Sequence, residues 1–169
     1  MELKNKKIAI SGGSGFLGRR IVGELKKKGA YVISPKSSGY DFKKERDAVY
    51  FIGEHKPEIF IHSAALYGGL GINESRPAEI YDYNMRMMLN VFRAVVDWNS
   101  GKPRIEKMVA IGSACGYPGK LGTNMKEELM WEGAVDKSVR NYGTIKKLME
   151  TTGHVYRDQF GLKSINLQL

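Results

Sequence analysis

Tyr142 and Lys146 stand four residues apart in Tyr142-Gly143-Thr144-Ile145-Lys146. On a helix that spacing puts both side chains on one face. A free tyrosine holds its proton up to a pKa near ~10, too high for efficient proton transfer at neutral pH. An ammonium beside it favours the phenolate and lowers that value. The same lysine can hold a cofactor ribose. A bare Tyr-x-x-x-Lys is common, and its ordinary meaning is one face of an amphipathic helix. Ser113 gives it weight: it follows the apolar run Lys107 to Ile111 as Gly112-Ser113, roughly 30 residues before Tyr142. There it can hydrogen-bond a substrate carbonyl or hydroxyl at the carboxyl end of a strand, where α/β sheets place their ligands.

The second chemical signal lies near the start. Ile8-Ala9-Ile10 reads as a buried strand, and Gly12, Gly15 and Gly18 follow at G-x-x-G-x-x-G spacing. The first glycine permits a tight turn, the second lets backbone approach a pyrophosphate, and the third lets the helix pack close to the strand. The N–H groups of that helix's first turn, with Phe16 and Leu17 in it, then face the phosphates. The ordinary alternative is a strand-to-helix turn without a ligand. Leu17, Ile21 and Leu25 share one face of the helix, and Lys26 to Lys28 followed by Gly29 close it.

These residues need a scaffold, and the pattern supplies one. Strands are expected at Ala30–Pro35, Ile59–His62, Lys107–Ile111 and Ser164–Leu169. Helices are expected at about Lys44–His55, Ala78–Asp97 and Val139–Phe160, with a short helical piece near Lys126–Met130 and a glycine-rich loop from Tyr67 to Pro77. Strands alternating with helices mean an α/β fold with a Rossmann-type, doubly wound parallel sheet, one domain over residues 1–169.

The end of the second strand selects the cofactor. An acidic residue there would hold the ribose 2′-hydroxyl of NAD. The sequence instead reads Ser34-Pro35-Lys36-Ser37-Ser38. Lys36 and the hydroxyls suit a 2′-phosphate, so NADP is favoured over NAD; the bland role for Lys36 is a solvated loop lysine. Asp41 can accept from the adenine amino group or cap the next helix.

Composition sets the remaining bounds. Hydrophobic residues make up 42% and charged residues 27% of the 169, ordinary for a globular domain. The net charge of +9 raises nucleic acid as a partner, but the lysines are scattered and no basic stripe is interleaved with aromatics. No run reaches membrane-span length. The single cysteine, Cys115, excludes an internal disulfide and fits a reducing compartment; a cytoplasmic location is expected.

Taken together, these segments resemble the extended short-chain dehydrogenase/reductases, most closely the GDP-L-fucose synthase group of NADP-dependent epimerase/reductases. The markers are Gly12 to Gly18, Ile61-His62-Ser63-Ala64-Ala65, Gly68-Gly69-Leu70-Gly71-Ile72-Asn73, Tyr83-Asn84-Met85, Ile111 to Pro118, Glu127-Glu128-Leu129 and Tyr142 to Lys146. The resemblance implies a GDP-sugar as substrate, Tyr142 as the acid/base of carbonyl reduction, Lys146 on the ribose, Ser113 on the carbonyl and Cys115 as the base of epimerisation. The ordinary role for Cys115 is a small buried residue. Ala64 and Ala65 would pass beside the cofactor. Asn84 and His62 read as structural hydrogen-bonders, and His154 as a surface residue.

The resemblance also implies a homodimer through the two long helices, with Tyr83, Met87 and Met88 partly covered by the second copy. It implies further that the family continues past the position of Leu169 into a substrate lobe that carries an acid histidine. On that basis the chain reads as an N-terminal half with the C-terminal substrate lobe absent. Alternatives from the same superfamily are an NAD-dependent 4-epimerase or a dehydratase; a dehydratase would want an acidic pair beside the serine, and Ala114-Cys115 offers none. A dinucleotide-binding module without turnover is the alternative of a different class. Two positions depart from the family's helix motif: Gly143 stands where alanine is usual, and Ile145 where a small residue is usual.

Overall fold

A computed structural model of the chain describes residues 2–100, 104–123 and 125–169. Five strands, β1 (Lys7–Ser11), β2 (Tyr31–Ile33), β3 (Ile59–His62), β4 (Lys107–Ile111) and β5 (Ser164–Leu167), form one sheet in the order β2-β1-β3-β4-β5. Every pairing is parallel. The helices are α1 (Phe16–Lys27), α2 (Glu45–His55), α3 (Gly69–Ser75), α4 (Pro77–Asn99) and α5 (Arg140–Phe160). Strand order reverses between β1 and β3, which makes the carboxyl ends of those strands the switch point where ligands bind.

Both faces of the sheet are buried along β1 and β3 and largely along β4, which is why these strands read as continuous apolar runs, whereas the edge strand β5 exposes Ile165 and Leu167. On one face Ala9, Phe60, Met108 and Ala110 pack against Phe51, Ile52, Val91, Phe92, Val95, Ile145 and Met149 of α2, α4 and α5. On the other, Ile8, Ile10, Ile59, Ile61 and Ile111 meet Leu17, Ile21 and Leu25 of α1. Ile145 is 1% exposed, so its bulk is taken up by the core. Strand β1 is thus fixed from both sides, and its exit into the glycine turn is fixed with it.

The structure adds one helix to the sequence pattern. The segment expected to be loop from Tyr67 to Pro77 contains α3, held by Asn73 Nδ2 donating to the Gly69 carbonyl at 2.7 Å and Ser75 Oγ to that of Gly71 at 2.8 Å. Its glycines mask the helical signal, and local side-chain bonds supply what propensity lacks. Helix α4 begins at Pro77 itself, because a first helical residue needs no N–H partner. The expected helical piece near Lys126–Met130 is a single 3-10 turn, Glu127–Leu129.

Of the three residues expected against a second copy, Met88 is misplaced. Met88 is 1% exposed and belongs to the chain's own core. Tyr83 and Met87 border the cleft described below. The exposed apolar residues of α4 are instead Tyr81 and Leu89.

His62, at the end of β3, is fully buried, with Nδ1 hydrogen-bonded to Ser11 Oγ at 2.9 Å, and the same hydroxyl accepts from Ala64 N–H at 3.3 Å. These bonds tie the ends of β1 and β3 together at the switch point. Burial, reinforced by the Lys146 charge, pushes the His62 imidazole down to about 3. Its unfolded value is near ~6.5, so between the two the unfolded chain binds more protons. Stability from this site is therefore fully present above pH ~6.5 and declines as pH falls toward 3. Urea unfolding midpoints measured at pH 7 and pH 4 should show this decline, and His62→Gln should flatten it.

Candidate functional site

A cleft of about 520 Å³ opens at the carboxyl ends of β1, β2 and β3. Gly12, Gly15, Phe16, Leu17 and Gly18 form one wall. Gly12 sits at φ +75°, and a Cβ on it would lie 2.7 Å from the Ala64 backbone. A Cβ on Gly18 would lie 2.1 Å from the Gly12 carbonyl oxygen. These contacts pull the turn tight against β3 and bring the α1 N-terminus to the cleft. Gly15 caps α1 without a side-chain bond, so the N–H groups of the first turn are left for a ligand. That cradle fits the pyrophosphate of a dinucleotide.

Ala64 and Ala65 line the opposite wall, and Asp41 the far end. Asp41 Oδ1 also accepts from Lys43 N–H at 3.1 Å, while the Asp41 carbonyl accepts from Lys44 N–H at 2.8 Å. Asp41 thus shapes the turn into α2 and borders the cleft at once. Lys36 is exposed and lies outside the lining, although its neighbours Pro35 and Ser37 belong to it. The sequence reading missed Lys43, Arg76 and Tyr83, which also line the cleft. Lys43 and Tyr83 are joined there, the ammonium 4.4 Å from the ring centroid. Nothing local flags Lys43 or Arg76, and Tyr83 stands only as a family marker and a residue of the expected dimer surface; Lys43 comes from the turn into α2, Arg76 and Tyr83 from the start of α4.

Ser113, Cys115, Tyr142 and Lys146 gather beyond β4. Ser113 leaves the strand in extended backbone and caps the 3-10 turn Ala114–Gly116, its Oγ accepting from Cys115 N–H at 3.3 Å. That turn packs on the first turns of α5. A Cβ on Gly143 would stand 2.1 Å from the Cys115 carbonyl oxygen. This contact is the physical reason for glycine where the related motif has alanine. Gly143→Ala must part α5 from the Cys115 turn, and is expected to cost about 2 kcal/mol in chemical unfolding.

Lys146 is 3% exposed, and its Nζ donates to the Ile111 carbonyl at 2.6 Å. Burial lowers it to about 8, with Cys115 opposing. Tyr142 is pushed up to about 12, by burial first and then by the neighbouring Cys115 and Tyr67, with the Ser113 hydroxyl pulling the other way. The lowering expected from Lys146 is not seen: Nζ lies 5.5 Å from the phenol ring centroid and donates to the Ile111 carbonyl. In this arrangement the Tyr142 phenol keeps its proton at neutral pH.

Asn84 holds the chain that leaves β3. It accepts from Leu66 N–H at 2.9 Å and donates to the carbonyls of Leu66 at 2.9 Å and Ile80 at 2.7 Å. His154 is exposed beside Glu150 on α5 and takes no part in the site. Among the described residues no group of three or more His, Cys, Asp or Glu side chains is placed to hold a metal. No described helix is long and apolar enough to cross a membrane.

Residues 8–169 match the NAD dependent epimerase/dehydratase family. The chain belongs to that family. GDP-L-colitose synthase of Yersinia pseudotuberculosis is 29% identical over 83% of this chain and 44% of its own length. GDP-L-fucose synthase of Sinorhizobium fredii is 27% identical over 97% of the chain and 51% of its own. Among solved structures, a GDP-mannoheptose C4 reductase from Campylobacter jejuni with NADP bound superposes with a TM-score of 0.87 at 25% identity, covering 97% of this chain and 51% of that one. The chain therefore spans about half the length of these relatives.

Proposed function

We propose that this chain carries the NADP site and the proton-transfer groups of a GDP-sugar epimerase/reductase. The observation behind this reading is the placement of two sets of residues at one edge of the sheet. Strands β1 and β4 both neighbour β3, so the glycine turn and Ser113 stand two strand spacings apart, about 10 Å. A dinucleotide laid on the turn thus reaches toward the Tyr142 cluster. When bound, NADPH supplies the hydride that reduces a keto group.

The chain's own groups do the rest. Ser113 hydrogen-bonds the carbonyl oxygen, and Tyr142, held protonated by its surroundings, delivers the proton to that oxygen as it gains charge. Lys146, positively charged beside both, restrains the charge that the phenol leaves behind and holds the ribose. Cys115, across from Tyr142, takes the proton from carbon beside the ketone in the epimerising step, where the keto group makes that C–H acidic. The GDP-sugar named for the relatives is the substrate class assigned here.

The lack of a carboxylate from Ser34 to Ser38, directly after β2, supports NADP over NAD, and Lys36, on the turn between two lining residues, is assigned to the 2′-phosphate. An exposed lysine on a phosphate contributes about 1 kcal/mol, or roughly fivefold in affinity. Fluorescence titrations should therefore show Lys36→Ala weakening NADPH about fivefold and leaving NADH unchanged. Equal affinity of the wild-type chain for both cofactors would remove the assignment.

A further inference from the structure

Where the chain leaves β4 for the Cys115 turn, β5 and its side chains take three successive backbone N–H groups. Gly112 N–H donates to the Leu167 carbonyl at 2.8 Å, and Ala114 N–H to the Leu169 carbonyl at 2.7 Å. The N–H between them, that of Ser113, belongs to the alternate set that a strand turns away from that neighbour. A side chain meets it instead: Gln168 Oε1 accepts from Ser113 N–H at 3.1 Å. To reach it the Gln168 carboxamide crosses Gly112, where a Cβ would stand 2.2 Å from Oε1 and 2.6 Å from Cδ. Glycine leaves that path open. The other end of the carboxamide is tied as well. Gln168 Nε2 donates to Asn166 Oδ1 at 3.0 Å. Asn166, in the amide orientation that its neighbours dictate, also accepts from Glu150 N–H at 3.0 Å and donates to the Ala110 carbonyl at 3.1 Å. Glu150 lies about one turn beyond Lys146 on α5. The pair Asn166 and Gln168 therefore joins β4, α5 and the Ser113 backbone, and neither residue lines the cofactor cleft.

We propose that Gln168 is a positioning residue of the proton-transfer set, fixing the Ser113 main chain and with it the direction of Ser113 Oγ and the turn that carries Cys115. The role rests on the functional reading above, in which Ser113 holds the carbonyl oxygen and Tyr142 delivers the proton. Those two groups come from the exit of β4 and the start of α5, so neither element alone sets their separation. The amide pair on β5 ties one to the other. Ser113 Oγ accepts from Cys115 N–H at 3.3 Å, so a Ser113 that tips out of place takes the Cys115 turn with it. A displacement of about 1 Å among reacting groups costs up to roughly 10²-fold in rate.

Two substitutions separate the bond to Ser113 from the rest of the side chain. Gln168→Met keeps the chain length and removes both polar ends. Gln168→Glu keeps the acceptor facing Ser113 and gives up the donor to Asn166. In the free chain, amide hydrogen exchange at Ser113, followed by NMR, should be about fivefold faster in Gln168→Met and within about twofold of wild type in Gln168→Glu. In reduction of a GDP-4-keto-6-deoxy sugar, Gln168→Met should lower kcat about tenfold at unchanged NADPH affinity, and Gln168→Glu should restore most of it. A residue that only stabilises the fold would shift the unfolding midpoint and leave kcat per folded molecule alone. Gly112→Ala reaches the same point with Gln168 intact: its methyl displaces the end of a flexible side chain, so both effects should recur. Wild-type exchange at Ser113 in Gln168→Met, or wild-type kcat in that variant, overturns the proposal. The exchange measurement needs neither cofactor nor substrate, so a wild-type chain that binds no NADPH counts against the proposed function alone.

Discussion

Gly18→Ala is expected to abolish cofactor binding and to destabilise the fold by about 3 kcal/mol. The added methyl would stand 2.1 Å from the Gly12 carbonyl oxygen and 2.6 Å from Gly13 Cα. All of these are backbone atoms, with no rotamer to turn aside. Relief requires α1 to slide away from the turn, and the N–H groups of its first turn then leave the cleft. Two charge-assisted hydrogen bonds lost to a phosphate amount to roughly a hundredfold or more in affinity. NADPH titration and urea unfolding of the same variant check both parts. Gly23→Ala is the control: it lies on the same helix, where a Cβ meets nothing within 4 Å, so NADPH affinity should stay at the wild-type level and stability should rise by up to about 1 kcal/mol, as alanine for glycine inside a helix does.

Tyr142→Phe is expected to lower NADPH-dependent reduction of a GDP-4-keto-6-deoxy sugar by about 10²–10⁴-fold. NADPH affinity should stay within about twofold, because the ring and its stack on Tyr67 survive. The size follows from the loss of the hydroxyl proposed to protonate the carbonyl oxygen in the transition state. The direction of the Tyr142 shift, up to about 12, means that the phenol is in its acid form throughout the neutral range. Rates of reduction by the wild type should accordingly show no loss from Tyr142 ionisation between pH 6 and 9, a window well below that value. A Tyr142→Phe variant that keeps wild-type turnover would remove Tyr142 from the reaction.

Much of this arrangement is legible in the sequence because it depends on local rules. The apolar triplet Ile8-Ala9-Ile10 and the spacing of Gly12, Gly15 and Gly18 specify a buried strand, a turn and a helix start without reference to anything distant. Strands β3 and β4 announce themselves in the same way. Helix α3 did not, since Gly69 and Gly71 argue against a helix and only the back-bonds of Asn73 and Ser75 reveal why it forms. Position on a helix face was also readable, but which neighbour each face meets was not: Met88 points into the core and Tyr83 into the cleft.

The electrostatics were least legible. Helical spacing puts Tyr142 and Lys146 side by side, and in isolation the lysine lowers the phenol. The outcome depends on burial and on Cys115 and Tyr67, which come from other parts of the chain. Tyr67 itself is one aromatic residue in a glycine-rich stretch, and only the Asn84 clamp, 17 residues farther along the sequence, explains its place. The departure at Gly143 carried a meaning that spacing could not give; the Cys115 carbonyl supplies it.

The glycine-turn cleft is proposed to be an NADP site in this chain. Titrating NADPH fluorescence with the wild-type protein, with NADH in parallel, tests it most directly. Saturable binding of NADPH, tighter than that of NADH, is the expected result. Binding of neither cofactor at concentrations well above those that saturate a working dinucleotide site would contradict it.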